Sequence, residues 1–574
     1  MSTRRITMFQ KSLSIMIVSV MLLSLFACQP ATAPEQTTAA AAQTTAQQTE
    51  TQPAVTQATV ESTVTESAGS VLNASGKYDP PIEMHFGSSH DPNGAESVAL
   101  EKTFGEVWED NRWTRYYYDT LGIKIVYDLV DPVDYNQSLL LAMASDDLPD
   151  YFRINNYGNL KNMVEAGMIA EMGDIYDQYA SPLLKQITEA EGDLVFTPGT
   201  FDGKLYGIPQ KMPSTNSHNH LFIRQDWLDA LGLERPTTMD QVTEVARAFA
   251  TQDPDGNGVD DTLGIGMDNN FIYQAAGVFW AFGGYPPIWL EKNGRIEYAN
   301  IQPEMKDGLE WFKNMYDENL FDREFGSMNY QKGYEENVMS EKIGMMYAKH
   351  WNAYVLGQHM TENEDAKWVS LPLPLGTASD IRIPSNVTVD SFHVASIKAE
   401  HPEGIIVLLN AYVDKLFGEN QEFDTFFADG DVAGIWGKSP VVSLDSMVDL
   451  QGYRDIEAAY QSNTLDQLTG SGRGFYQFYL QGSYYYWLMF GAGDSCFRFV
   501  DQTYPDKMLW NQYVGAPTDT MVERWSSMQE LLVTSYTKMI QGQESLSNFD
   551  SIISQWYSMG GEQVTKEVNE VVSR

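Results

Sequence analysis

Residues 253–262 place oxygen-bearing side chains at regular intervals. Relative positions 1, 3, 5 and 9 carry Asp253, Asp255, Asn257 and Asp261. Gly258 at position 6 allows a sharp turn, and the Val259 carbonyl falls at position 7, as in the first part of an EF-hand loop. Gly264 replaces the bidentate glutamate of position 12, which leaves Asp260, Thr262 or water to complete a coordination shell. The spacing predicts a structural Ca²⁺ that braces a loop; the alternative is a turn that binds no metal.

Aromatic side chains are the second group of candidate binding residues. Sugars present apolar C–H faces bordered by hydroxyls, and flat aromatic rings can pack on those faces. The chain holds 13 Trp and 31 Tyr, and burial in a core is the default for most of them. Trp280, in the glycine-bordered segment 277–284, is predicted to lie in a loop and contact a ligand, and Trp436 in segment 434–437 is a further candidate. The run 484–487 either lines a groove or packs as a helix.

Motifs for other chemistries are weak. His218 and His220 would share one face of a strand, but no third nitrogen or thiolate ligand is identifiable nearby, so a metal site is not predicted there. No HExxH, GxSxG, P-loop or dinucleotide fingerprint stands out. The sequence therefore does not point to a familiar class of enzyme.

Composition restricts the partners. The 574 residues include 78 acidic and 37 basic side chains, a formal net charge of −41, which disfavours nucleic acid. No local basic cluster is found that would hold an anionic ligand. Neutral or cationic small molecules are the favoured ligands.

The amino terminus resembles a lipoprotein signal. Arg4, Arg5 and Lys11 precede an apolar run over 13–27, which is too short for a stable membrane span. The run ends in Leu-Phe-Ala followed by Cys28, which resembles a lipobox and predicts cleavage with acylation of Cys28, giving a lipid anchor. An ordinary secretory signal is the alternative. Residues 28–78, rich in Thr, Gln and Ala, are predicted to be a disordered tether, and the body is expected outside the cell membrane.

Strands and helices alternate beyond the tether. Strands are predicted at 81–87, 123–127 and 151–153, separated by helices over 104–117 and 135–144. This order favours a helix-flanked parallel sheet, the arrangement that would position the candidate side chains. The last fifty-odd residues are predicted to be helices that only pack.

Several short motifs occur in a fixed order along the chain. They are DDLPD at 146–150, DGKLYGIP at 202–209, RQDWLDALG at 224–232, DPDGNG at 253–258, GMM at 344–346, HPE at 401–403 and GGEQVTKEVN at 560–569. Together they resemble the extracellular solute-binding proteins of family 1, in the large lipoprotein branch that includes alginate-oligosaccharide-binding proteins. The resemblance implies a two-lobed, type II periplasmic-binding-protein-like α/β fold with parallel-sheet lobes joined by a hinge.

The resemblance also implies lobe boundaries and ligand residues. Lobe one would comprise 79–212 and 385–435, lobe two 213–384, and the helical part 436–574 would belong mostly to lobe two. Trp351, with His350 and Asn352, follows a strand predicted at 343–348 whose end would point at the cleft. Asn216 and His218 lie where the chain would first cross between the lobes. Alginate-binding relatives have Asp-Glu in the calcium loop where this chain has Asp261 and Thr262.

Three functions are compatible with these features. The first is a monomeric binding protein that passes a neutral oligosaccharide to the permease of an ABC-type importer. The second is a surface glycoside-active enzyme with paired carboxylates. The third is a sensory or adhesive lipoprotein that binds a sugar or peptide without transport. The ordered motifs favour the first.

Overall fold

The structure is a computed structural model that describes residues 71–73, 76–190, 192–386, 389–427, 429, 432, 434–515 and 517–572. These belong to one contact-defined unit, Ala68–Arg574. The predicted signal, Cys28 and nearly all of the predicted tether lie outside the described residues. No helix among the described residues has the length and apolar character needed to cross a bilayer.

The strands of the described chain are short. In order they are β1 Val71–Leu72, β2 Tyr78–Asp79, β3 Ile82–Ser88, β4 Ile123–Val130, β5 Tyr151–Ile154, β6 Thr200–Phe201, β7 Lys204–Leu205, β8 Ile208–Lys211, β9 Asn219–Arg224, β10 Trp289–Lys292, β11 Arg295–Tyr298, β12 Met345–Lys349, β13 Trp368–Leu371, β14 Ile383–Ser385, β15 Val389–Ala395 and β16 Met508–Trp510.

Helices make up most of the remaining regular structure. In order they are α1 Ala95–Phe104, α2 Arg112–Leu121, α3 Tyr135–Ala144, α4 Tyr157–Glu165, α5 Gly173–Tyr179, α6 Pro182–Thr188, α7 Gln225–Leu231, α8 Met239–Thr251, α9 Phe271–Gln274, α10 Ala276–Ala281, α11 Met305–Asp317, α12 Glu336–Met339, α13 Ala353–Glu362, α14 Gly404–Phe417, α15 Phe423–Phe426, α16 Val448–Ser462, α17 Gly470–Leu480, α18 Tyr484–Phe490, α19 Cys496–Thr503, α20 Asp519–Ile540, α21 Phe549–Trp556 and α22 Glu562–Val572.

The larger sheet has the strand order β4-β3-β5-β15-β8 and forms the centre of lobe one. Strand β3 is parallel to β4 and β5, whereas β15 runs antiparallel to β5 and β8. Successive side chains point to opposite faces of a strand, so Tyr151 and Phe152 enter two different apolar clusters. Helix α14 covers the Tyr151 face with buried residues such as Ile406.

The smaller sheet, β12-β9-β13, is antiparallel and forms the centre of lobe two. Its two faces are also separated by alternation along β9: Leu221 joins the cluster that includes Trp556 of α21, and Phe222 joins the cluster that includes Phe475 of α17. Helices α20–α22 therefore cover the Leu221 face, which agrees with the packing role predicted for the last fifty-odd residues, and α16–α19 cover the Phe222 face.

The predicted two-lobed α/β fold is confirmed, with two corrections of detail. The sheets are not wholly parallel: only β3, β4 and β5 pair in parallel in the larger sheet, and the smaller sheet is antiparallel. The helix predicted across 104–117 is two helices, because Gly105 adopts a φ of +69° and ends α1, and Asn111 caps α2 with a capping box.

Within the described residues, the chain passes between the two lobes three times. The passages are 212–218, which joins β8 to β9, the connection from Ser385 of β14 to Val389 of β15, whose residues 387 and 388 are not described, and 444–448, which leads into α16. The Ser217 and Ser385 hydroxyl oxygens lie 2.8 Å apart, and the Leu444 amide donates to the Lys211 carbonyl at 3.2 Å. Leu444 packs in a lobe-one cluster and Val448 in a lobe-two cluster, so the segment that returns to lobe one at 385 runs nine residues beyond its predicted end at 435.

Candidate functional site

A cavity of about 460 Å³ lies between the lobes beside the first and third passages. Eight rings contribute to its wall: Trp108, Phe427 and Trp436 from lobe one, and Trp351, Phe475, Tyr485, Tyr486 and Phe490 from lobe two. We call this space the aromatic cavity. A concave, mostly apolar site with a few polar groups is the usual form of a small-molecule site.

Trp351 reaches the aromatic cavity from the end of β12. The strand is followed by a 3₁₀ turn, His350–Asn352, which turns the indole outward and leaves it 37% exposed. The buried His350 ring lies edge-on to it, with 5.0 Å between ring centroids. Trp351 therefore offers an accessible flat ring held by a rigid neighbour.

Trp436 faces the cavity from lobe one. Gly434 supplies a φ of +75° just before it, a left-handed conformation that favours glycine. The indole stacks on Phe427 at a centroid distance of 6.3 Å, and the Tyr412 hydroxyl donates to its carbonyl at 3.3 Å. The half-buried Trp436 ring is thus fixed in place on the wall opposite Trp351.

The tyrosine run at 484–487 forms helix α18, which also lines the cavity, so the two alternatives for this run are both correct. Tyr485 and Tyr486 contribute to the wall, and behind them Phe475 stacks on Phe490 with 4.0 Å between centroids. A Cβ on Gly357 of α13 would lie 2.4 Å from the Tyr485 amide nitrogen, so glycine permits the close approach of α13 and α18.

Two polar atoms at the cavity wall lack partners. The Asn216 Oδ1 and His350 Nδ1 atoms are buried and make no hydrogen bond in the described part of the chain. Burial, with smaller contributions from the nearby His218 and Lys349, lowers the pKa of His350 to about 3, so its imidazole is neutral at physiological pH. An unpartnered buried polar atom costs about 1–3 kcal/mol, which a bound hydroxyl can recover.

Asp449, on the first turn of α16, brings a carboxyl group to this apolar wall. Burial raises its pKa to about 7. Lys438 is the basic side chain of the opposite wall, where its ammonium lies 4.7 Å from the Trp108 ring centroid and 3.5 Å from the Ser97 hydroxyl. Neither Asp449 nor Lys438 belongs to a motif, so the sequence alone does not indicate them.

A second groove of about 800 Å³ separates lobe one from the carboxyl-terminal helices. Its acidic lining residues are Glu165, Asp202, Asp519, Glu567 and Glu570. Lys161 of α4 lies 3.4 Å from Asp519 of α20 and joins the two sides. This groove is predominantly anionic.

The predicted calcium loop connects α8 to the segment that leads into the smaller sheet. Its turns use positive φ angles at Asp253, Gly256 and Gly258. The Gly258 amide donates to Asp253 Oδ2 at 3.0 Å, and the Asn257 side-chain nitrogen lies 2.7 Å from Asp255 Oδ2 and 3.4 Å from Asp261 Oδ1. The side chains at relative positions 1, 3, 5 and 9 are therefore drawn toward one another.

The electrostatics of this loop fit a cation. Burial and the neighbouring Asp253 and Asp261 carboxylates raise the pKa of Asp255, a repulsion that a divalent ion would relieve. As placed, however, no three His, Cys, Asp or Glu side chains among the described residues are close enough together to hold a metal ion. Asn257 and the Val259 carbonyl would therefore have to take part.

Thr262 and Gly264, at relative positions 10 and 12, both contact helix α8. The buried Thr262 hydroxyl donates to the Phe249 carbonyl at 2.7 Å, so the structure gives it a helix-end partner rather than the predicted metal-facing role. A Cβ on Gly264 would lie 2.5 Å from the Ala246 carbonyl oxygen. The close contact of Gly264 with α8 explains why a glutamate cannot occupy position 12 here.

Comparison with known proteins places this arrangement in a family. The profile of the bacterial extracellular solute-binding proteins matches residues 99–412, more than half of the chain. The chain belongs to this family. This solute-binding protein is 25% identical over 447 residues to the polygalacturonan/rhamnogalacturonan-binding protein YtcQ of Bacillus subtilis (strain 168), covering 75% of the chain and 81% of YtcQ.

Other solute-binding proteins match in part or in fold. The fructooligosaccharide ABC transporter substrate-binding protein FusA of Streptococcus pneumoniae serotype 4 (strain ATCC BAA-334 / TIGR4) is 27% identical over 255 residues, 41% of this chain and 43% of FusA. The structure of the alginate-binding protein AlgQ2 without calcium ion superposes with a TM-score of 0.56 at 16% identity, covering 87% of this chain and 100% of that chain. At this identity, the structural match establishes the fold alone.

The solute-binding protein brings four predicted ligand residues to one cavity: Asn216, His350, Trp351 and Trp436. The prediction that Trp280 contacts the ligand from a loop is wrong in this structure. Trp280 lies in helix α10 rather than a loop, is 1% exposed, and packs in the large core of lobe two. Its glycine-bordered sequence is that of a buried helix, so its ring offers no surface to a ligand in this structure.

The other two predicted ligand residues have structural partners instead. The buried His218 ring nitrogens lie 3.1 Å from the Thr215 carbonyl and 2.9 Å from the Thr503 hydroxyl. The buried Asn352 side chain accepts from the Lys349 amide at 3.1 Å. Both residues shape the solute-binding protein beside the cavity and do not line it.

Proposed function

We propose that this solute-binding protein captures a neutral oligosaccharide in the aromatic cavity and delivers it, unaltered, to an ABC-type importer. The observation that carries the proposal is the cavity itself, with Trp351 and Trp436 on opposite lobes. Aromatic rings pack on the apolar faces of sugars, and Asn216 and His350 supply partners for hydroxyls. The relatives YtcQ and FusA are named as carbohydrate-binding proteins, which supports the ligand class.

Charge favours a neutral sugar over an acidic one. The aromatic cavity holds the Asp449 carboxyl, its His350 imidazole is neutral, and the Lys438 ammonium is already engaged by Trp108 and Ser97. The second groove carries five carboxylates, and the whole chain has a net charge of −41. The carboxylates of a polygalacturonan chain would be repelled by these acidic groups. We therefore propose a neutral sugar, and not the ligand named for YtcQ, as the ligand of this protein.

Delivery follows from lobe closure. A ligand that contacts both lobes stabilises the closed form and shifts the population toward it. About 5.5 kcal/mol of preference for the closed form moves the ratio from 1:99 to 99:1. The permease of the importer then distinguishes the loaded protein by its shape, and the binding protein acts as a monomer.

The chain is further proposed to be anchored outside the cell membrane through a lipid on Cys28. The basic start, the apolar run and the cysteine support this location, as does membership of an extracellular family. Two or three acyl chains give stable anchoring where one does not.

A glycan panel tests the proposed function. Purified protein without its signal is expected to show a higher melting temperature with a neutral oligosaccharide such as kestose, nystose or maltotetraose, and no shift with trigalacturonate. Because the protein is proposed to bind without turnover, no new reducing ends should form during long incubation. Preference for trigalacturonate, or release of reducing ends, would contradict the proposal.

Calcium is a second proposed ligand, at the loop 253–262. When bound, Ca²⁺ would neutralise the facing carboxylates; Asp253, Asp255, Asn257, the Val259 carbonyl and Asp261 are the residues that would hold it. Leu263, directly after the loop, donates to the Lys342 carbonyl at 2.7 Å, and Leu263 bridges Ile343 just before β12. An ordered loop would thereby support the strand that carries Trp351.

Removal of calcium is expected to lower the melting temperature. A ligand at a hundred times its dissociation constant stabilises by about 2.7 kcal/mol, which corresponds to a shift of a few degrees. Calorimetry with 2 mM Ca²⁺ against excess chelator should show this shift in the wild type and in Glu364→Gln, which removes an exposed carboxylate elsewhere. Asp255→Asn should abolish it. An identical wild-type melt in chelator would exclude the site.

A further inference from the structure

Asp449 is the carboxylic acid of the aromatic cavity: among the described residues that line this space, no other Asp or Glu contributes to the wall. The group makes no hydrogen bond and no ion pair within the described chain, although it is partly buried among aromatic rings. Buried carboxyl groups are ordinarily hydrogen-bonded or paired, because leaving them unpartnered is costly. Because Asp449 lacks a hydrogen-bond partner at the wall of a ligand cavity, the ligand is the natural donor to its carboxylate.

Among the described residues, none of the groups that face Asp449 makes a hydrogen bond or an ion pair with it. From α18, the Tyr485 and Tyr486 hydroxyls are its titratable neighbours. From the other walls, Lys438 and the neutral His350 line the same space. Burial alone accounts for the raised pKa of Asp449, about 7, so no charged group on α17, α19 or the opposite wall compensates its carboxylate.

We propose that Asp449 is a specificity-determining residue whose ionised carboxylate accepts hydrogen bonds from ligand hydroxyls, so that sugar binding is coupled to loss of the Asp449 proton. This inference rests on the proposed function, because it assigns a role within the same cavity. Two neighbouring hydroxyls of a sugar can donate to the two carboxylate oxygens, and hydrogen bonds to a charged acceptor are about twice as strong as neutral ones. The proton leaves Asp449 for the buffer, so the charge balance is complete.

The coupling also gives a physical basis for selectivity. A uronate sugar would bring a second carboxylate beside Asp449 in a water-poor site, where like charges repel strongly. A neutral sugar incurs no such penalty, and its hydroxyls supply hydrogen-bond donors for the Asp449 carboxylate. Asp449 therefore selects for hydroxyl groups and against acidic groups at one subsite.

The expected pH dependence is specific. Apparent affinity falls by the fraction of protein in the binding-competent form, which here is the ionised form. With the Asp449 pKa near 7, the dissociation constant at pH 6 is expected to be about ten times that at pH 8. Binding at pH 7 should release about half a proton, and His350, with a pKa about 3, does not titrate in this range.

Isothermal titration calorimetry tests the inference with the neutral sugar that gives the largest shift in the glycan panel. Dissociation constants are measured at pH 6, 7 and 8 for the wild type, Asp449→Asn and the control Asp466→Asn, an exposed carboxylate just after α16. Titration at pH 7 in two buffers of different ionisation enthalpy counts the protons released. We expect a tenfold pH effect in the wild type and the control, and weaker, pH-independent binding in Asp449→Asn.

The outcomes are distinct. Wild-type binding that is unchanged between pH 6 and 8, without proton release, would overturn the inference and leave the proposed function standing. Failure of every neutral sugar to bind would overturn the function and the inference together. If Asp449→Asn does not fold, the wild-type pH profile and proton count still test the inference, because the pKa of His350, about 3, lies far below this pH range.

Discussion

Replacing Trp351 with alanine is expected to weaken oligosaccharide binding about ten- to hundredfold without a comparable loss of stability. The indole is 37% exposed at the cavity, so its removal leaves the core intact while the ligand loses a ring to pack against. Burying an apolar side chain of this kind is worth about 1.5–3 kcal/mol, and each 1.4 kcal/mol is tenfold in affinity. Calorimetric titration and thermal melts of the same preparation measure both quantities.

A set of matched variants separates this effect from a structural one. Trp436→Ala should also lose affinity, because its ring forms the opposite wall. Trp280→Ala should lower the free energy of unfolding by about 3–5 kcal/mol, because that ring is buried in the lobe-two core. Tyr460→Ala, an exposed aromatic on α16 that does not line the cavity, should change neither. Unchanged sugar affinity in both Trp351→Ala and Trp436→Ala would show that the ligand binds elsewhere.

Acid is expected to destabilise the protein through its buried histidines. Burial lowers the pKa of His218, His350 and His393 to about 3, and that of His220 well below its usual value. Because the unfolded histidines bind protons below about pH 6.5 and the folded ones do not, this stability is present above pH 6.5 and is lost as the pH falls. From pH 7 to pH 5, each of the three histidines with a pKa of about 3 removes about 2 kcal/mol of stability.

Two carboxyl groups act in the opposite direction. The pKa values of Asp268 and Asp449 are raised to about 6 and about 7, so the folded state takes up their protons first and gains stability as the pH falls. Their combined gain between pH 7 and pH 5 is about 3–4 kcal/mol, which is smaller than the loss of about 6 kcal/mol from His218, His350 and His393 together. Urea unfolding at the two pH values should show a clearly lower midpoint at pH 5.

Substituting one buried histidine tests whether these residues cause the loss of stability between pH 7 and pH 5. His393, on β15 and away from the cavity lining, has its Nε2 atom 2.9 Å from the Val442 carbonyl. In His393→Asn, the loss between pH 7 and pH 5 should be about 2 kcal/mol smaller than in the wild type. The surface variant His85→Asn provides the comparison. A midpoint that does not move between pH 7 and pH 5 would refute this account.

The sequence predicts local structure best where backbone preferences and apolar periodicity agree. Helix α3 occupies the predicted range 135–144, and strands β3, β4 and β5 lie within three residues of their predicted bounds. The pairing direction of the smaller sheet depends on contacts between distant segments, β9 with β12 and β13, which periodicity does not encode. This is why the parallel arrangement was wrong there.

The candidate site divides in the same way. The glycine-bordered turn at Trp436 is visible in the local sequence, whereas the cleft position of His350 and Trp351 combines a predicted strand end with what the family resemblance implies. Trp280 has the same glycine-bordered pattern, and only the surrounding core distinguishes it. Asp449 is an ordinary acidic residue at the start of a helix; its role depends on rings contributed by α17 and α18, which the sequence alone does not bring to it.

The three passages between the lobes have a mechanical consequence. Because the first passage is bonded to the second through Ser217 and Ser385, and the Lys211 carbonyl just before it accepts from the Leu444 amide of the third, we expect the three passages to bend together rather than separately. The two lobes should therefore close along one path. Closure would then return the Trp351 and Trp436 indoles to the same spacing each time a ligand is bound.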